Sequence, residues 1–177
     1  PKIFLMENVK GILSKDNGNE IATISMLDPI SKIHQDSSGL LLFSGDGLWF
    51  FAHEKTSAPQ WRINSLAIEH IVSFGRFFAV LETSGHIILL DKHNGANILR
   101  TKTLATSIIP LHTGMLGFLS RDGEILATDT LLRPLWIFHL GESFIYTPWI
   151  QNGLLYYPIS TDSIKILNAL HYGKKPL

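Results

Sequence analysis

The chain has 177 residues, 45% of them hydrophobic and 17% charged, a balance that can fill a sizeable core and excludes intrinsic disorder. Lys plus Arg equals Asp plus Glu at 15 each, so no net field draws nucleic acid or an anionic membrane. The absence of cysteine excludes thiolate metal sites, disulfides and cysteine nucleophiles, and the longest apolar runs, such as Leu40 to Phe43, are too short to span a bilayer.

In chain order, Ile3–Glu7, Gly11–Asp16 and Glu20–Met26 read as three strands. They are placed by a match between Asn17-Gly18 through Thr23 and Asn94-Gly95 through Arg100, 77 residues further on. Four segments then open on glycine followed by apolar residues, at Gly39, Gly75, Gly114 and Gly153, spaced by 36, 39 and 39. A second register lies just downstream at Asp46-Gly47, Ser84-Gly85, Asp122-Gly123 and Asp162-Ser163, spaced by 38, 38 and 40. Two registers holding one period identify a repeat of about 38 residues.

Within each repeat the Asp-Gly step predicts a tight type I′ hairpin, because both central residues of that turn need positive φ. Leu40–Ser44 should therefore pair with Leu48–His53, Phe77–Glu82 with His86–Asp91, and Met115–Ser120 with Glu124–Asp129. These strands are apolar almost throughout, which in an antiparallel sheet means that both faces are covered. First strands are predicted at Ile68–Phe74, Ser107–Leu111 and Phe144–Ile150, and more polar outer strands at Gln60–Ile63, Asn97–Arg100 and Leu135–Phe138. Ile164–Ala169 and Gly173–Leu177 end a fifth unit. Glycine or proline interrupts nearly every window of ten residues, so no helix is expected and the chain is all-β.

Four strands in about 38 residues, repeated, suggest propeller blades. The pattern resembles the quinoprotein-type (PQQ-like) repeat, in which an Asp-Gly hairpin leads to a strand ending in aspartate, a glycine turn and an outer strand. The copies are Gly85 to Asp91 with Asn94-Gly95 and Ile98 to Arg100, Gly123 to Asp129 with Leu135-Trp136, and Ile164 to Ala169 with Gly173 to Lys175. Phe51-Ala52-His53 departs from it, lacking the aspartate. The resemblance implies one β-propeller segment over 1–177, with blades at 1–27 (partial), 31–64, 68–102, 105–140 and 143–177. Such repeats close rings of seven or eight blades, so residues before Pro1 or after Leu177 are expected to complete the ring.

Chemistry-bearing residues do not converge. The eight histidines lack metal-ligand spacing, and no Gly-x-Ser-x-Gly or phosphate-binding glycine loop occurs. Asp91 and Asp129 recur at one blade position, which points to turn chemistry rather than catalysis. Trp61 and Trp136 on outer strands, with Trp49 and Trp149, read as packing residues. No catalytic residue, metal or cofactor is expected. The reading is a non-catalytic binding or assembly scaffold that presents loops to a protein partner. The resemblance extends to the propeller lipoproteins of outer-membrane assembly, and implies export to the periplasm or envelope. The alternative is a fragment of a quinone-dependent dehydrogenase. The variable connections Glu54–Pro59, Lys92–Ala96, Thr130–Pro134 and Leu170–Gly173 share one rim, and Arg133 and Tyr172 are the candidate partner-binding residues there.

Overall fold

The computed structural model describes residues 3–4, 11–14, 20–24, 26, 28–45, 47–53, 58–112, 114–141 and 148–168. They form strands joined by turns, and no helix among them is long and apolar enough to cross a membrane. The chain divides into two compact units, Pro1–Leu66 with Lys92–Gly95, and Ala67–Asp91 with Ala96–Leu177.

The first unit holds a three-stranded antiparallel sheet of β1 (Ile3–Phe4), β2 (Gly11–Ser14) and β3 (Glu20–Thr23). A four-stranded sheet follows, with β4 (Ile30–Gln35), β5 (Gly39–Ser44), β6 (Gly47–Ala52) and β7 (Trp61–Ile63) in sequential order. Strands β5 and β6 are buried along nearly their whole length. Alternation sends Leu40, Leu42 and Phe51 into a cluster with Ile24. Phe50, buried on the same sheet, stacks on Trp61 with ring centroids 5.2 Å apart. Strand β4, for which the repeat pattern names no residues, is mostly exposed, so it lacks the apolar run that marks the others.

The second unit holds two four-stranded antiparallel meanders and a three-stranded sheet. The first meander is β8 (Ile68–Phe74), β9 (Phe77–Glu82), β10 (His86–Asp91) and β11 (Asn97–Lys102). The second is β12 (Ser107–His112), β13 (Met115–Leu119), β14 (Glu124–Thr128) and β15 (Pro134–His139). The three-stranded sheet is β16 (Trp149–Gln151), β17 (Leu154–Pro158) and β18 (Ile164–Asn168). Phe74, Ala79, Leu81, Ile87 and Leu89 of the first meander meet Ile108, Leu116 and Phe118 of the second. The second meander's other face, with Ile109, Leu119, Ile125 and Trp136, meets Leu155 and Tyr157. Strands β13 and β14 thus feed two cores, which is why their apolar runs are continuous rather than alternating.

The predicted hairpin pairings are present, but not through the predicted turns. In the first four-stranded sheet Ser44 faces Gly47, so Gly47 lies in the ladder rather than in the predicted Asp46-Gly47 turn. In the next two, Gly85 donates its N–H to Glu82 O (2.9 Å) and Gly123 donates to Ser120 O (3.3 Å). Only the glycine of each has positive φ, +77° in both. These are four-residue turns closed by a left-handed glycine, not type I′ turns. The Asn152-Gly153 step, between β16 and β17, is where two successive residues do take positive φ.

A rim of aspartate-held loops

In an antiparallel meander the connections between strands one and two and between strands three and four lie at one end. In the second unit that end carries two arginines, each set against the aspartate that terminates strand three. Arg76 lies 3.7 Å from Asp91, with its guanidinium 4.9 Å from the Phe77 ring centre. Arg133 is held more closely: its Nε donates to Asp129 Oδ2 at 2.6 Å, and its Nη2 lies 2.6 Å from the same oxygen.

Asp129 organises the whole β14–β15 loop. Its Oδ1 accepts the backbone N–H groups of Leu131 (2.8 Å) and Arg133 (2.9 Å), while its backbone carbonyl accepts Leu132 N–H at 3.0 Å. Desolvation pushes the Asp129 carboxyl up, but the amides of Arg133 and Leu131 and the Arg133 guanidinium outweigh it and hold the group below the usual carboxylate range. Leu132 adopts φ +60° and packs its side chain on the sheet core. Leu131 is left 54% exposed beside the exposed Arg133. The predicted site residue Arg133 therefore sits on a built loop, whereas Tyr172 lies outside the described residues. Sequence reasoning treated Asp129 as a turn residue only and passed over Leu131; the Asp-x-x-x-Arg spacing was the available signal.

The corresponding end in the first unit is built from half-buried polar groups. Asp36 Oδ1 accepts Ser38 N–H (2.7 Å) and Ser38 Oγ–H (2.5 Å), and Oδ2 pairs with Lys92 Nζ at 2.5 Å. His53 Nε2 donates to the Asp36 carbonyl at 2.8 Å. Trp61 Nε1 donates to Lys92 O (2.8 Å) and Gln60 Nε2 to His93 O (2.5 Å), so Lys92–Gly95 is pinned by its backbone. Burial lowers the pKa of nearby His34, an effect opposed by Asp36 and reinforced by Lys92.

A groove of about 620 Å³ opens along the first strands of the second unit, lined by residues that include Val72, Phe74, Ile108, Pro110, Trp149 and Ile150. None of its lining residues is ionisable. Trp149, expected to be a packing residue, is 42% exposed and stacks on Tyr156 with ring centroids 5.4 Å apart. Trp136 on β15, by contrast, is covered by Leu155 and Tyr157 of the neighbouring sheet.

No protein-family model and no curated protein matches this sequence. Solved structures do match. BamB from Moraxella catarrhalis aligns with a TM-score of 0.72 at 18% identity, over 96% of this chain and 59% of that one. Hsv2 from Kluyveromyces marxianus aligns at 0.72 and 11% identity, over 94% and 56%. BBS1N, determined in complex with ARL6DN, aligns at 0.67 and 13% identity, over 93% and 56%. The chain thus spans less than two thirds of the length of each. At such identities the likeness is one of fold, and the fold is the all-β propeller.

Proposed function

We propose that this protein is a non-catalytic scaffold, one propeller segment of the quinoprotein-type repeat class, whose rim loops bind a protein partner during cell-envelope assembly. The observation that carries the reading is the β14–β15 loop: Asp129 pre-orders its backbone, so Arg133 and the exposed Leu131 are offered with little entropy left to lose. Arginine is among the residues that most often anchor protein interfaces, and Leu131 beside it adds apolar surface that a partner would bury. A protein partner is also consistent with the similar fold of BBS1N, which was solved bound to ARL6DN. The envelope assignment draws on the repeat's resemblance to outer-membrane assembly propellers and on the likeness to BamB.

The test is capture of the partner by the full-length protein. Replacing Arg133 and Tyr172 together by alanine should weaken capture by about tenfold or more, while the β-sheet circular dichroism is retained. Arg121→Ala, on the opposite rim, should leave capture unchanged. The reverse pattern would move the contact surface to that rim.

A further inference from the structure

We infer that β15 is a docking edge for strand addition: an extended, uncharged segment of the protein partner, with aliphatic side chains at alternate positions, pairs with its free side. This builds on the proposed scaffold role and states how the partner is held.

The hydrogen-bonding phase of β15 fixes which groups face outward. Leu140 donates its N–H to Gly123 O at 2.8 Å, continuing the register in which His139 faces Glu124 and Phe138 faces Ile125. In an antiparallel ladder only every second residue bonds a given neighbour. Phe138 and Trp136 therefore bond inward to β14, Ile137 and His139 direct their N–H and C=O groups away from it, and Leu135 lies in the bulge where the register shifts between Ala127 and Thr128. No strand among the described residues lies beyond β15 in its sheet. The side chains agree: Trp136 and Phe138 pack into the core, whereas Leu135 and Ile137, on the other face, are 36% and 45% exposed.

Edge strands are ordinarily guarded by charge, by proline, by bulges or by short length. Strand β11 follows that rule. Thr103 donates to Gly85 O at 2.8 Å, which makes Arg100 and Lys102 the outward-bonding residues, and both are exposed cations. Strand β7 is only three residues long and carries the exposed Arg62. Strand β15 has six residues and is guarded at its start by Pro134 and the bulge at Leu135, but beyond Trp136 an isoleucine and a histidine stand where β11 has its charges. Its one titratable side chain, His139, is engaged with Glu124 at 2.9 Å. A charged incoming strand would find no counter-charge along this edge; an aliphatic one finds matching apolar surface.

Chain continuity favours a partner segment over a second copy. Two copies joined through six residues would bury far less than the roughly 1,600 Å² of an ordinary stable interface. A partner segment that leaves the edge at Pro134 arrives directly at Arg133 and Leu131, adding the rim to the main-chain bonds.

The probe is an acetylated, amidated Thr-Val-Thr-Val-Thr-Val peptide, N-methylated on alternate residues so that one edge is blocked against self-assembly and the other is free. Added to the full-length protein, it should slow hydrogen exchange at the Ile137 and His139 amides. The fully N-methylated peptide should bind at least about tenfold more weakly, as expected for the loss of two or three main-chain bonds. Ile137→Lys should lose binding to a similar extent with its β spectrum intact, and Ile98→Lys on β11 should not. Absence of binding up to about millimolar peptide, equal binding of both peptides, or slowed exchange at β11 instead would overturn the proposal. So would protection of the same amides by self-association without peptide. If Arg133→Ala weakens partner capture but Ile137→Lys does not, the scaffold function stands and strand addition falls.

Discussion

The side chains that carry most of the polar structure here do so by satisfying the backbone. Asp129 accepts two amides and a guanidinium, and Asp36 accepts the Ser38 amide and hydroxyl while it pairs with Lys92. His34 lies against that second cluster and leads to a pH effect. Its folded-state pKa is lowered, first by burial and then by Lys92, against the opposing pull of Asp36. An unfolded histidine titrates near 6.5, so at higher pH both states hold it neutral and its full contribution to stability is present. As pH falls through about 6.5 towards the lower folded value, the unfolded chain takes up the proton first and stability declines. Urea midpoints measured between about pH 7.5 and pH 5 should therefore fall on the acid side, and His34→Gln should flatten that fall. An identical slope in the variant would assign the acid loss to other groups.

At the scale of elements, the two glycine registers serve different physical needs. Gly39 begins a strand, and a Cβ there would stand 2.3 Å from Phe51 O, so it answers a close backbone approach. Gly85 closes a hairpin at φ +77°, where a Cβ would meet only Thr103 O at 3.4 Å, so its demand is conformational. Gly85→Ala should then cost about 1 to 2 kcal/mol, read as a lower thermal midpoint. Gly85→Asn, which tolerates the left-handed region, should recover part of that loss. Equal stability of all three would mean the hairpin relaxes into another turn.

For the whole molecule, charge balance is the controlling quantity. With 15 cationic and 15 acidic side chains, the protein has little self-repulsion near its pI of about 7.6. Solubility should therefore pass through a minimum near that pH and rise on either side. A flat profile from pH 6 to pH 9, in rough terms, would show that surface apolar groups rather than charge control association. The exposed Leu131, Leu135 and Ile137 make that comparison informative, since Ile137→Lys adds charge to the β15 edge.

The period of the repeat, the central hairpin pairs and the all-β class were legible in the chain alone. Each depends on local patterns: continuous apolar runs such as Phe77–Glu82, and glycines at turn positions. The position of Arg133 on a connecting loop was legible for the same reason. Three things were not. Turn type depended on ladder register, which a single Asp-Gly step does not set, so Gly47 falls in the ladder opposite Ser44 rather than in the turn. The exposure of Trp149 against the burial of Trp136 depended on which neighbouring sheet covers each ring. The outward bonding of Ile137 and His139 depended on the phase of the β14–β15 ladder, fixed by the Leu140–Gly123 bond. Sequence determines which residues favour strand and turn; the pairing of strands distant in sequence decides which backbone groups and which faces remain to meet a partner.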